Sequence, residues 1–167
     1  SIPEGLHTYP LVLANCIDPQ QNFPAYIPDD YHGQYHAMCK LIEKGYRRPL
    51  CLYIPKETLA GQTRREAVES SWKSAGLPQE ALKQYHLALG DEHYLDVIDL
   101  INRHCESGKP DFDVVVCGND RIAFLAYQVL LSKGLRIPKD VAVLGYDNMI
   151  AVGELFYPPL STVVLPH

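Results

Sequence analysis

Two short segments carry the residue types that bind or transform polar molecules. Cys117-Gly118-Asn119-Asp120 and Gly145-Tyr146-Asp147-Asn148 each close an apolar run, so amides and carboxylates gather where two strands end. In the first segment, one reading is a tight turn with Asn or Asp capping the next helix. The other turns the Asn119 amide toward a ligand while Asp120 caps. Repetition of the pattern at 145–148 strengthens a ligand role for Asp147. Arg64 and Arg65 open a helical stretch after Ala60-Gly61-Gln62-Thr63, and a guanidinium offers fixed donors for hydroxyls or a carboxylate. Trp72, on the same stretch, reads as core. His32 and His36 share a helix face at a spacing that can hold a metal. No third acid or cysteine stands at a telling distance, so they read as solvated helix histidines and no metal or cofactor is expected.

Several chemistries are missing. The chain has no Gly-x-Gly-x-x-Gly, no Gly-x-x-x-x-Gly-Lys-Ser/Thr and no Gly-x-Ser-x-Gly, which disfavours phosphate-loop enzymes and α/β-hydrolases. Five cysteines (Cys16, Cys39, Cys51, Cys105 and Cys117) are odd in number and form no Cys-x-x-Cys pair. Three lie in apolar runs, where a thiol acts as a small hydrophobe. That usage points to a reducing, cytoplasmic setting. With 15 Lys and Arg against 20 Asp and Glu, the net charge of −5 should repel a phosphate backbone, so nucleic acid is not an expected partner of this piece alone. At 47 % hydrophobic and 21 % charged residues, the composition is that of a folded domain rather than a disordered polymer. No window reaches the roughly 18 uninterrupted apolar residues of a membrane span, and Ser1-Ile2-Pro3-Glu4-Gly5 is no signal peptide.

The elements that must position these residues alternate along the chain. Apolar runs at 11–14, 50–54, 85–89, 112–117, 141–145 and 162–165 read as strands. Most are apolar at successive positions, as in strands covered on both faces. Amphipathic stretches at 30–44, 62–75, 94–105 and 120–133 read as helices, with Gly45, Gly76 and Gly134 as stops. This alternation predicts an α/β fold, a doubly wound parallel sheet with helices on both faces. Such sheets bind ligands beyond the carboxyl ends of their strands. There stand Asn15 and Cys16, residues 55–59, then Gly90, Asp91 and Glu92, then Gly118, Asn119 and Asp120, then Tyr146, Asp147 and Asn148. The rim is rich in acids and amides and poor in nucleophiles. It suits a polyhydroxylated ligand. The pattern begins on a strand and ends at 165–167 without a helix, as expected for the middle of a longer protein.

Motifs in the same order and spacing resemble a known family. Pro10-Leu11-Val12-Leu13-Ala14-Asn15, Gly33, Leu41 through Arg48 with Tyr46 for the usual His, Arg64, Pro110 through Asp120, Gly134 through Val141, Gly145-Tyr146-Asp147-Asn148 and Pro159 through Pro166 are similar to signatures of the LacI/GalR transcriptional repressors. Val12 through Cys16, Tyr26 through Asp30, Arg48 through Cys51, Gly108 through Asp113 and Ala126 through Leu131 resemble the branch governing sucrose use.

The resemblance implies a periplasmic-binding-protein-like, two-lobed effector domain of which this chain is mainly one lobe. Residues 1–28 would end the first lobe, 29–160 form the second, and 161–167 cross back, with the DNA-binding head absent. By the same resemblance the effector, a sugar of the sucrose, fructose or glucose type, lies between the lobes. Arg64, Asn119 and Asp147 would grip its hydroxyls. Asn15 stands where relatives often carry Asp, and Glu92 where they often carry an aromatic. The implied function is a cytoplasmic, dimeric, non-enzymatic sugar sensor that meets operator DNA only through its head. The alternative is a periplasmic sugar-binding protein of a transporter.

Overall fold

The computed structural model describes residues 3–6, 8–18, 20, 23–106, 108–147 and 155–164. Asn148, the end of the run at 162–165 and residues 165–167 of the expected crossing strand lie outside the described residues. The chain begins with two short paired strands, β1 (Leu13–Ala14) and β2 (Ala25–Tyr26), which form a parallel pair of their own. There follow α1 (Asp30–Glu43), β3 (Pro49–Tyr53), α2 (Leu59–Ser74) and β4 (Lys83–His86). Then come α3 (Asp96–Arg103), β5 (Val114–Cys117), α4 (Asp120–Ser132), β6 (Ala142–Asp147) and β7 (Ser161–Val164). β3 to β7 form one wholly parallel five-stranded sheet in the order β4-β3-β5-β6-β7. The doubly wound α/β expectation is met.

Successive side chains of the inner strands divide between two cores, which is why their runs do not alternate apolar with polar. Leu50, Leu52, Val115, Cys117 and Val143 pack beneath α3 and α4. Cys51, Tyr53, Val114, Val116, Ala142 and Leu144 pack on the other face with Met38 of α1 and Val68 and Trp72 of α2. Trp72 is a core residue whose indole N–H donates to the Pro78 carbonyl at 2.9 Å.

Helix ends follow local chemistry. Asp29, Thr58 and Asn119 accept from backbone N–H groups in the first turns of α1, α2 and α4. At the end of α1, Gly45 takes φ 93° while its N–H bonds to Ile42 and that of Tyr46 to Leu41. This is a left-handed helix stop that a side chain would strain. α2 and α4 end the same way.

Two expectations shift. The run at 85–89 predicts a strand there, but β4 ends at His86, because its register is set by pairing Lys83 to Leu50 and His86 to Tyr53. Leu87 continues into the core and Leu89 is exposed. The helix predicted from 94 begins as a 3-10 turn at Asp91–Leu95 and becomes α3 at Asp96. Residues 161–164 pair along β6 as the edge of this sheet.

The switch in strand order falls between β3 and β5. There Gly118 lets the two chains approach. A methyl at Gly118 would lie 2.5 Å from the Ile54 nitrogen and 3.1 Å from two Tyr53 backbone atoms. Gly118→Ala should therefore lower unfolding free energy by about 1–3 kcal/mol, the usual cost of overpacking, read from the urea midpoint. Gly5→Ala, with nothing within 4 Å, should change it by less than about 0.5 kcal/mol.

Candidate functional site

The start of α1 and the carboxyl ends of β5 and β6 converge on Arg64, in the second turn of α2. Its guanidinium is buried, with only 4 % of the residue exposed. Nε donates to Oδ1 of Asp30 at 3.0 Å, Nη2 to Oδ1 of Asp147 at 3.1 Å and Nη1 to the Gly118 carbonyl, while Nη2 also lies 2.9 Å from Asp30 Oδ1 as an ion pair. Its flat face lies 3.7 Å from the centre of the Tyr146 ring. Tyr146 in turn donates its hydroxyl to the Asp30 carbonyl at 3.2 Å. A buried charge is tolerable when it is paired and hydrogen-bonded, and here each of the three guanidinium nitrogens donates to a protein acceptor and two carboxylates balance the charge.

Asp147 differs from the other partners. Its side chain is 29 % exposed, and its backbone stands at φ 93°, a left-handed geometry uncommon for a residue with a side chain. Burial pushes its carboxyl pKa above the ordinary value, and the Arg64 charge, which lowers it, does not fully offset burial plus the negative Asp120 and Asp30. Its bonded oxygen is Oδ1; among the described residues Oδ2 has no recorded partner.

Asn119 meets both readings halfway. Its Oδ1 accepts from the Ile122 N–H at 3.0 Å, so it caps α4, and its amide donates to the Tyr94 hydroxyl at 2.8 Å. Asp120 does not cap, contrary to the reading that gave it that task. It is buried and accepts the Thr162 hydroxyl of β7 at 2.7 Å. Tyr94 continues the rim outward, for the Arg121 guanidinium lies 4.3 Å from its ring centre and pairs with Asp91 at 3.1 Å. Beside Tyr94, a cavity of about 190 Å³ opens among Ile54, Pro55, Leu87, Gly90 and Asp91, at the ends of β3 and β4.

The structure thus brings Arg64, Asn119 and Asp147 to one end of the sheet. It makes no bond from Asn15 or Glu92 to any of them among the described residues. Asn15 directly follows β1 at φ 57° with its backbone N–H on the Tyr26 carbonyl, and the residue is exposed. Glu92 is exposed, crowds Gly90 and lies 3.8 Å from His93. Sequence reasoning missed Asp30, which looks like an ordinary first-turn acid, and Tyr94, which looks like one member of a helical stripe. For Tyr94 a signal exists: it closely follows Gly90-Asp91, just past a strand. For Asp30 there is none.

Donors and acceptors dominate this rim, and no group of three metal-binding side chains gathers among the described residues. The arrangement can hold a neutral molecule by its hydroxyls, with Asp147 as a charged acceptor and Tyr94, Asn119 and Arg121 close by.

Comparison with known proteins points the same way. Residues 3–167 match the family described as periplasmic binding proteins and sugar binding domain of the LacI family. The chain is 53% identical over 167 residues to the sucrose operon repressors of Escherichia coli and Shigella flexneri, covering 100% of this chain and 50% of each repressor. It spans about half the length of these curated relatives. Among solved structures, a LacI family transcriptional regulator from Mycobacterium smegmatis superposes with a TM-score of 0.81 at 30% identity, covering 96% of this chain and 58% of that one.

The raised pKa of Asp147 has a sign. A carboxyl whose pKa rises on folding contributes stability below its unfolded value of about 3.9 and loses that contribution as pH climbs through the folded value. Asp147→Asn stays neutral and can still accept from Arg64. Relative to wild type, the variant should gain stability between about pH 4 and pH 7. Urea titrations of both proteins at the two pH values check this; a constant gap contradicts it.

Proposed function

Because the chain belongs to the family of periplasmic binding proteins and LacI-type sugar-binding domains, we propose that it is the effector-sensing part of a sugar-responsive transcriptional repressor. One observation carries the reading: the part-exposed Asp147 carboxylate, held by buried Arg64, at the carboxyl end of β6, one strand from the switch point of the sheet. The ligand's hydroxyls donate to Asp147 and meet Asn119 and Tyr94 nearby. Asn15 and Glu92 remain in the proposed set as peripheral contacts. The names of the two sucrose operon repressors make sucrose, or its fructose and glucose units, the first effectors to try. They also favour this reading over a transporter's periplasmic binding protein.

In this reading residues 1–28 end one lobe, 29–160 form the second, and 161–167 return toward the first. The separate β1 and β2 pair and the five-stranded sheet support that division. Ligand binding shifts the lobes only through its differential affinity for their arrangements, and so alters operator binding by a separate DNA-binding head. The protein works in the cytoplasm and catalyses nothing.

Pairing with a second copy has its own support. Leu95 and Phe124 flank one cavity, Phe124 meets Phe156 edge-on at 6.0 Å, and Leu155 and Tyr157 beside it are 81% and 90% exposed. Exposed large apolar side chains such as Leu155 and Tyr157 are suited to a contact with a second copy.

NMR titration with sucrose, fructose and glucose should give saturable shifts around residues 118–120 and 147. Asn119→Ala should weaken binding tenfold or more, about 1.4 kcal/mol. No response to any of the three sugars by the folded protein would end the reading. Sedimentation equilibrium should show a dimer that Tyr157→Asp converts to monomer; a wild-type monomer at high concentration would remove the dimer from it.

A further inference from the structure

Arg64 is held from two sides, and the two sides differ. On one, a single Asp30 oxygen accepts from Nε at 3.0 Å and stands 2.9 Å from Nη2 as an ion pair, while Tyr146 lies under the guanidinium plane and bonds the Asp30 carbonyl. Asp30 is itself almost wholly buried, at 7% exposure, so no ligand reaches it. On the other, Asp147 takes one donor through one oxygen and keeps part of its surface open. A guanidinium presents a rigid fork, and its direction is set by the partner that occupies most of it.

We propose that Asp30 is a positioning residue of the effector site: by occupying the inner edge of Arg64 it leaves Asp147 a single bond to the guanidinium and one carboxylate oxygen for the ligand. The inference rests on the sugar-site reading above and goes beyond it, since Asp30 touches no ligand. Without the Asp30 acceptor, Arg64 turns its freed donors to Asp147 and grips both oxygens, the geometry that arginine and carboxylate favour. The ligand then loses its charged acceptor although no rim residue has changed. Asn in place of Asp30 keeps an acceptor oxygen for the guanidinium and should preserve the arrangement.

The charged and titratable groups around Asp147 are Arg64 on α2, Asp120 on α4, Asp30 on α1 and Tyr146 on β6. Asp30 raises the Asp147 pKa and Arg64 lowers it. Asp30→Ala should therefore drop the Asp147 carboxyl midpoint sharply, through loss of a negative neighbour and a second bond to Arg64. Asp30→Asn should drop it less, through loss of the charge alone.

The test combines three measurements on the 167-residue protein. Carbon-13 titration follows the Asp147 carboxyl, the Arg64 Nε–H resonance reports exchange with water, and NMR titration with sucrose, fructose and glucose gives affinity. Expected are a slowly exchanging Arg64 Nε–H in wild type and Asp30→Asn, and its loss in Asp30→Ala. Sugar affinity should fall tenfold or more in Asp30→Ala and stay within threefold in Asp30→Asn. Unchanged affinity and an unchanged Asp147 midpoint in Asp30→Ala would overturn the proposal. If Asp30→Ala does not fold, Asp30→Asn decides: a rapidly exchanging Arg64 Nε–H or a tenfold loss of sugar affinity there overturns the proposal, and a slowly exchanging Nε–H with affinity within threefold supports it. If no sugar binds wild type, the sugar reading fails, while the ligand-free resonances still decide whether Asp30 sets the geometry of Arg64 and Asp147.

Discussion

One buried guanidinium joins four elements of this fold. Arg64 rises from α2 and meets the first residue of α1, the carbonyl after β5, and the last residue of β6. Because water cannot reach it, each partner must be in place for the charge to be tolerated. Removing one side of a buried pair commonly costs about 3–5 kcal/mol. The same demand that stabilises the domain therefore sets the geometry of the rim at the carboxyl ends of β5 and β6.

The sheet makes that convergence possible. Parallel strands all end on one side, and the switch in order between β3 and β5 opens space there. Gly118 closes the gap between the two strands, and its carbonyl becomes a partner of Arg64. Asp120 adds a second tie by accepting from Thr162 on the edge strand β7. The start of α1 and the edge strand are thus each tied to the site by a buried carboxylate.

Much of the frame was legible. Helix stops at Gly45, Gly76 and Gly134 and the doubled apolar runs of β3 and β5 are local signals, since a helix turn or a strand register is decided by near neighbours. Arg64, Asn119 and Asp147 were legible as rim residues because they follow strand ends or open a helix. Their roles were less so. Asn119 divides itself between capping and Tyr94, and Arg64 is spent on the protein itself. The edge strand β4 was misplaced because the apolar run around Leu87 outlasts its pairing with β3.

The amino-acid sequence by itself determined the α/β alternation, the helix ends, the acid-and-amide character of the rim and the family. Those properties are written in adjacent residues or in motifs of fixed order. Only the tertiary structure decided that Arg64 meets Asp30, Gly118 and Asp147, which lie 34, 54 and 83 positions away. No periodicity encodes such a meeting. The partners of a buried charge follow from strand order and helix placement, so a first-turn acid such as Asp30 looks ordinary until the folded sheet brings it under the guanidinium.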